Sequence, residues 1–262
     1  MKCPRCAMEN PDGFRFCGNC GFQVVQESVR PVPLAQIPHQ ATTRAPAKAK
    51  LVLIKGDGGD GKTFQLGGTE HVLGRAESTA IPFPGDPFLS PRHACFYFED
   101  GHLFVRDEGS INGVYIRITA PVPLTSGSRF LVGEQLLRFE PCEPNYSSPQ
   151  LDEEGTRFYT SPQRPSQFSL IQLLRGGHTG MVFRAPISTT TIGREENDIN
   201  FPDDPFISGH HAMVMAHESG YSLEDIGSKN GTFVCIEEPN HLVHGDFVFI
   251  GEQLLRVEMQ NK

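Results

Sequence analysis

The sequence has no run of 18 apolar residues, so it offers no candidate membrane-spanning helix. It opens Met1-Lys2-Cys3-Pro4 without an apolar leader, so no secretory signal is expected and the reading is cytoplasmic. Its seven cysteines are then thiols or metal ligands rather than disulfides. No window carries a helical period of apolar residues, which argues against a helix-based fold. No nucleophile–base pair and no metal site with an open position can be picked out, and the histidines are scattered, so no enzyme is expected. Apolar residues make up only 38% of 262, low for one globule and reasonable for two small domains with exposed connections.

Positive charge is also scarce outside the N-terminus. The net charge is −8, but residues 1–50 hold seven Lys/Arg against three Asp/Glu, which leaves 16 basic and 28 acidic residues for the rest. An acidic body of this kind is a poor surface for sequence-independent nucleic-acid binding.

What is present is a block that occurs twice. Gly74-Arg75, Ser90-Pro91-Arg92-His93, Ser110-Ile111-Asn112-Gly113 and Gly133-Glu134-Gln135-Leu136-Leu137-Arg138 return as Gly193-Arg194, Ser208-Gly209-His210-His211, Ser228-Lys229-Asn230-Gly231 and Gly251-Glu252-Gln253-Leu254-Leu255-Arg256. The offset is 118 residues from Ser90 to Ser208, from Asn112 to Asn230 and from Gly133 to Gly251, and 119 at the Gly-Arg pair. Such a period is too long for a solenoid repeat. It marks a whole small domain used twice, and the shared residues are polar ones in turns, as a duplicated binding surface requires.

Cys3-Pro-Arg-Cys6 and Cys17-Gly-Asn-Cys20 form two CxxC knuckles. Four thiolates on one tetrahedral ion leave no open coordination position, which suits structural Zn2+. A piece of this size cannot bury a core, so the metal must supply its folding free energy. A redox CxxC would need a βαβ setting that is absent. The segment resembles the short zinc ribbons that begin many prokaryotic multidomain proteins. Cys142 lies outside the knot, and Cys95 and Cys235 sit in apolar runs as expected buried thiols.

The resulting domain plan is a zinc ribbon at 1–23, a Pro/Ala/Gln-rich tether at 24–50, a first sandwich at 51–141, a second tether at 142–167 and a second sandwich at 168–260. The tethers carry hydroxyls at Thr42, Thr43, Thr156, Thr160 and Ser161 that a kinase could reach. Short strand signals recur through both copies, among them residues 94–98, 103–106, 212–216 and 247–250. Residues 99–101 and 218–220 read as three-residue hairpin turns ending in Gly. Each half is therefore expected to be an all-β sandwich.

One motif match is rejected. Gly56 through Gly61-Lys62-Thr63 fits GxxxxGK[ST], but the mechanism needs a helix to begin at Lys62, and the following residues read as strand and turn. No nucleotide is expected.

The ordered set of Gly-Arg, Ser-x-x-His, Ser-x-Asn-Gly and a closing Gly motif resembles the forkhead-associated (FHA) domain, over residues 51–140 and 168–259. The resemblance implies a β-sandwich whose loops at one end bind phosphothreonine peptides, and hence a phosphothreonine-containing partner and a link to a Ser/Thr kinase. By that resemblance Arg194, Ser208 and Asn230 bind the phosphopeptide in the second copy, and Arg75, Ser90 and Asn112 in the first; Lys229 departs from the family's pattern, its ammonium standing in for a phosphate-contacting hydroxyl. His211, His93, Gly193 and Gly74 support the binding loops.

Phosphate carries nearly two charges and three acceptor oxygens, which a guanidinium, a hydroxyl and loop donors can meet. The first copy has Ile111 for Lys229, Val114 for Thr232 and Pro91 beside Ser90, so the second is expected to be the main reader. Two alternatives stand beside this adaptor reading. One is a phospho-independent assembly scaffold. The other is a nucleic-acid-binding regulator acting through the zinc ribbon, with Lys2, Arg5, Arg15, Phe14 and Phe16.

Overall fold

The computed structural model describes residues 49–56, 58–142, 153–157, 159 and 165–260, together with Lys2 and Glu9. The chain divides into two compact units, residues 1–43 and 44–262. Cys3, Cys6, Cys17 and Cys20 lie outside the described residues, as do the tether hydroxyls Thr42, Thr43, Thr160 and Ser161. Lys2 and Glu9 form an antiparallel bridge.

The second unit is all-β, as expected. The first repeat supplies β1 (Ala49–Ile54), β2 (Asp60–Leu66), β3 (Glu70–Gly74), β4 (Ile81–Pro82), β5 (Ala94–Glu99), β6 (His102–Asp107), β7 (Val114–Arg117), β8 (Val122–Leu124), β9 (Arg129–Val132) and β10 (Gln135–Pro141). The second supplies β11 (Phe168–Leu173), β12 (Thr179–Ala185), β13 (Thr189–Gly193), β14 (Ile199–Asn200), β15 (Ala212–His217), β16 (Gly220–Asp225), β17 (Thr232–Cys235), β18 (Asn240–Leu242), β19 (Phe247–Ile250) and β20 (Gln253–Met259).

Alternation sets which face is buried: Leu103 and Val105 in β6, and Val248 and Ile250 in β19, point inward while their neighbours are less buried. The β5–β6 hairpin turns in two residues rather than the expected three, because Glu99 pairs with His102 and Asp100 and Gly101 both take positive φ (49° and 81°). His217 pairs with Gly220, so the β15–β16 turn is also a two-residue one. Lys62 and Thr63 lie inside strand β2, with the Lys62 ammonium over the Phe64 ring, so no helix opens where a P-loop needs one.

The strands do not pair repeat by repeat. One ten-stranded sheet runs β12-β11-β10-β9-β17-β7-β19-β20-β1-β2 through both repeats, and two five-stranded sheets, β14-β13-β15-β16-β8 and β18-β6-β5-β3-β4, complete the architecture. Each repeat gives its last three strands to the other. β20 pairs along the whole of β1, while β10 pairs with β11. One core takes Leu51, Phe96 and Val105 from the first repeat and Leu242, Val248, Ile250, Leu255 and Val257 from the second. The other takes Leu124, Phe130, Val132, Leu137 and Phe139 from the first repeat and Phe168, Leu170 and Val214 from the second.

Five fully buried aliphatic side chains contribute on the order of 10 kcal/mol of gross burial, before ordering costs are subtracted. The expectation of one self-contained sandwich in 51–141 and another in 168–260 is corrected accordingly. Each sandwich is built from both stretches, because the hinges at 118–121 and 236–239 run on into the opposite sandwich. Ile118 is buried in the second core and donates its N–H to Thr232 O at 2.9 Å. Ile236, its counterpart, packs on the first core and donates to Val114 O at 2.9 Å.

Candidate functional site

The four repeated motifs come together at one end of each sandwich, tied by a largely shared set of hydrogen bonds in the two copies. In the second copy Gly193 ends β13 against the loop that carries Ser208. A side chain at Gly193 would overlap the Gly209 carbonyl, which is why only glycine fits there. Arg194 follows, and its N–H donates to Ser208 O at 2.9 Å. Its guanidinium donates through Nη2 to Ile207 O at 2.6 Å. Ser208 Oγ accepts the Lys229 N–H at 3.0 Å, so the hydroxyl hydrogen remains for another acceptor. Asn230 donates through Nδ2 to Phe206 O at 2.6 Å, which keeps its Oδ1 as an acceptor.

His211 stands behind these residues, fully buried. Its Nδ1 accepts the Ser208 N–H at 3.1 Å and its Nε2 lies 3.1 Å from Gly231 O. Accepting at Nδ1 from an N–H and meeting a carbonyl at Nε2 requires the neutral tautomer with hydrogen on Nε2. Burial pushes the imidazole below its usual pKa, in keeping with that neutral state.

Asp225 holds the Ser228–Gly231 turn from below. Burial would raise its carboxyl, but hydrogen bonds from the Ser228 hydroxyl and N–H, the Thr232 hydroxyl and the Gly227 N–H outweigh that and hold it below the usual range. Thr232 is fully buried, with its hydroxyl 2.8 Å from Asp225. It therefore stabilises the turn from inside and presents no hydroxyl at the surface of the site.

The first copy repeats this frame. Gly74 presses against the Pro91 carbonyl. Arg75 donates its N–H to Ser90 O at 3.0 Å and its Nε to Leu89 O at 3.1 Å. Ser90 Oγ accepts the Ile111 N–H at 3.2 Å, and Asn112 Nδ2 donates to Phe88 O at 2.7 Å. His93 links the Ser90 N–H to Gly113 O at 3.1 and 3.0 Å. What differs is the side chain at the turn tip, where Ile111 stands 85% exposed in the place of Lys229. Arg92, beside Pro91, is engaged by Glu108 at 2.7 Å.

Two residues that the sequence reading passed over are central to this frame. Asp86 and Asp204 are nearly buried carboxylates (3% and 4% exposed) that open the Ser90 and Ser208 loops. Their signal is the Asp-Pro-Phe triplet repeated at 86–88 and 204–206 with the same 118-residue spacing as the serines. Of the three cysteines outside the knuckles, Cys95 is fully buried. Cys235 is only partly buried, contrary to expectation, because its Sγ faces the Arg129 guanidinium at 3.3 Å. Burial raises both thiols, so neither is an activated nucleophile. Among the described residues no helix is long and apolar enough to cross a membrane.

Comparison with known proteins agrees with these motifs. The FHA domain model matches residues 71–133 and 190–251, and a zinc-ribbon domain model matches residues 2–24. An oxoglutarate dehydrogenase inhibitor of Corynebacterium jeikeium is 33% identical over 106 residues, 38% of this chain and 74% of that one. A protein of the same name from Corynebacterium efficiens is 36% identical over 90 residues, 34% of this chain and 63% of its own length. The glycogen accumulation regulator GarA of Mycolicibacterium smegmatis is 34% identical over 90 residues, 34% of this chain and 57% of its own length. The chain thus spans only part of each of these relatives. With two matched segments, and a Corynebacterium relative covered over most of its length, the chain belongs to the forkhead-associated (FHA) domain family and carries an N-terminal zinc ribbon.

Proposed function

We propose that the chain is a non-enzymatic adaptor in Ser/Thr kinase signalling that docks phosphothreonine-bearing proteins, with the second repeat's site as the main reader. The observation that carries this reading is the knot around Ser208. Arg194, Lys229 and Asn230 are each hydrogen-bonded to the Phe206–Ser208 strip, so three loops bring a guanidinium, a hydroxyl, an ammonium and a side-chain amide together. A phosphothreonine offers three acceptor oxygens and nearly two charges to such a set. The Arg194 guanidinium and Ser208 hydroxyl meet the phosphate, Lys229 adds a charge, and the Asn230 amide oxygen receives a peptide N–H.

The first site keeps Arg75, Ser90 and Asn112 in the same frame but has a methyl-bearing tip at Ile111. Losing one charge-assisted hydrogen bond weakens binding by about 1.5–3 kcal/mol, roughly tenfold to a hundredfold. The relatives are named as a regulator and as inhibitors, which suits a binding role rather than catalysis. Cys3, Cys6, Cys17 and Cys20 hold a structural Zn2+, a role that suits four thiolate donors and the zinc-ribbon match over residues 2–24.

The test is capture of partners from lysate by the full chain and by Arg194→Ala, each with and without phosphatase treatment. The adaptor reading expects partners that disappear with phosphatase and with Arg194→Ala. A set of partners indifferent to both would favour a phospho-independent scaffold instead.

A further inference from the structure

We infer that Gln135 and Gln253 are positioning residues for the phosphothreonine site of the opposite repeat, so that each reader is completed by the other half of the chain. The inference rests on the phosphothreonine reading above and adds to it a device specific to the exchanged architecture.

Asp204 Oδ1 accepts the N–H groups of Phe206 at 2.9 Å and Ile207 at 3.2 Å. These two residues present the carbonyls that hold Asn230 and Arg194. The other carboxylate oxygen, Oδ2, accepts the Glu134 N–H at 2.8 Å and the Gln135 side-chain amide at 2.9 Å. One nearly buried carboxylate therefore fastens the site loop of the second repeat to the β9–β10 hairpin of the first. The Gln135 amide is itself oriented, because its Oε1 accepts from Gln172 Nε2 at 2.8 Å. The hairpin comes close because Gly133 turns it at φ 59°, and a Cβ there would meet Asp204 Oδ2 at 2.7 Å.

The arrangement recurs in reverse. Asp86 Oδ1 accepts the Phe88 N–H at 2.9 Å, and its Oδ2 accepts the Glu252 N–H and the Gln253 amide, both at 2.8 Å. Gly251 takes the place of Gly133, at φ 62°. Gln135 lies 69 residues before the loop it fastens and Gln253 lies 167 residues after its own. Neither touches the groups that meet the peptide. Each holds the carboxylate that holds the carbonyls that aim them, so a lost amide donor slackens the loop while the strand pairing of the hairpin stays.

The experiment uses the full chain. Amide hydrogen exchange in the free protein compares Gln135→Leu, Gln253→Leu and wild type. The expected result is faster exchange at 204–208 for Gln135→Leu and at 86–90 for Gln253→Leu, each leaving the other loop unchanged. This readout needs no ligand, so it can succeed or fail independently of the phosphothreonine reading.

A phosphothreonine peptide that binds the wild-type chain is then titrated into the Arg75→Ala background, which leaves the second site alone. Gln135→Leu is expected to lower affinity about 5- to 10-fold, the loss of roughly one hydrogen bond's worth of order. Gln135→Lys, which keeps a donor, restores it, and Gln253→Leu has no effect. Faster exchange in the loop of the same repeat, equal change in both loops, or no change in either loop would overturn the inference.

Discussion

Ile116 lies opposite Val234, the residue that occupies its own place in the second repeat. The pair marks an internal two-fold axis between β7 and β17. The neighbouring registers obey it: Thr232 faces Val132 as Ile250 faces Val114. Such isologous contacts belong to a dimer, and here two copies of one domain make them within a single chain. The exchange of three strands across that axis explains why sites so similar in detail sit on sandwiches that neither repeat encodes alone.

The first prediction concerns the halves. A fragment of residues 44–142 lacks the strands that close its first sandwich, and its own β8–β10 lie beyond a four-residue hinge anchored in the other core. Two copies can complete each other by the same exchange, with Ile116 then meeting its own equivalent on a true two-fold axis. Light scattering is expected to give a dimer at micromolar concentration. A folded monomer would show that the hinge at 118–121 bends back freely.

The strands and the four-residue site motifs are legible in the sequence because both are local. Alternation identifies β6 and β19, and Ser-x-x-His or Ser-x-Asn-Gly sits within one loop. The exchange was not legible. The Asp204–Gln135 contact would look the same in sequence if Asp204 bonded Gln253 of its own repeat, and the two hinges have equal length. Four short strands, β4, β8, β14 and β18, also escaped notice, since two or three residues give no period. The Val114–Thr232 difference does not bear on the ranking of the two copies as expected, because a hydroxyl beside Asn230 says nothing in sequence about which way it points, and it points at Asp225.

Thr232→Val tests that correction. The first repeat already places Val114 there, so the variant fits the core. It removes one of the hydrogen bonds to Asp225, at a cost of about 1 kcal/mol. Denaturant unfolding is expected to register that loss, with phosphopeptide affinity unchanged. A large loss of affinity would make the Val114–Thr232 difference a determinant of binding.

Acidification should weaken the fold through His211. Its pKa in the folded chain lies below the unfolded value of about 6.5, so the unfolded chain takes up the proton first. The stability contribution is complete above that value and is lost as pH falls toward the folded pKa. Asp225, also depressed, adds a second loss at lower pH, as its carboxyl protonates below the ordinary carboxylate range. Melting temperature is expected to decline between pH 7 and 5, with ring NMR at pH 6 finding His211 neutral and protonated on Nε2. A protonated ring at that pH would contradict the hydrogen-bond assignment.

The zinc knot makes its own prediction. The purified chain should contain one zinc, and Cys17→Ser should lose most of it, because three thiolates cannot close a structural tetrahedral site. Zinc content by elemental analysis checks this. Undiminished metal in Cys17→Ser would remove the cysteine from the ligand set.

The second repeat's site, centred on Arg194 and Ser208, is proposed as the principal phosphothreonine reader. Calorimetric titration of the full chain with one phosphothreonine peptide, in parallel with Arg75→Ala and Arg194→Ala, tests it most directly. Arg75→Ala is expected to keep most of the affinity, while Arg194→Ala loses at least about 2 kcal/mol, roughly 30-fold. Near-wild-type binding by Arg194→Ala, or a loss that falls on Arg75→Ala instead, would contradict it.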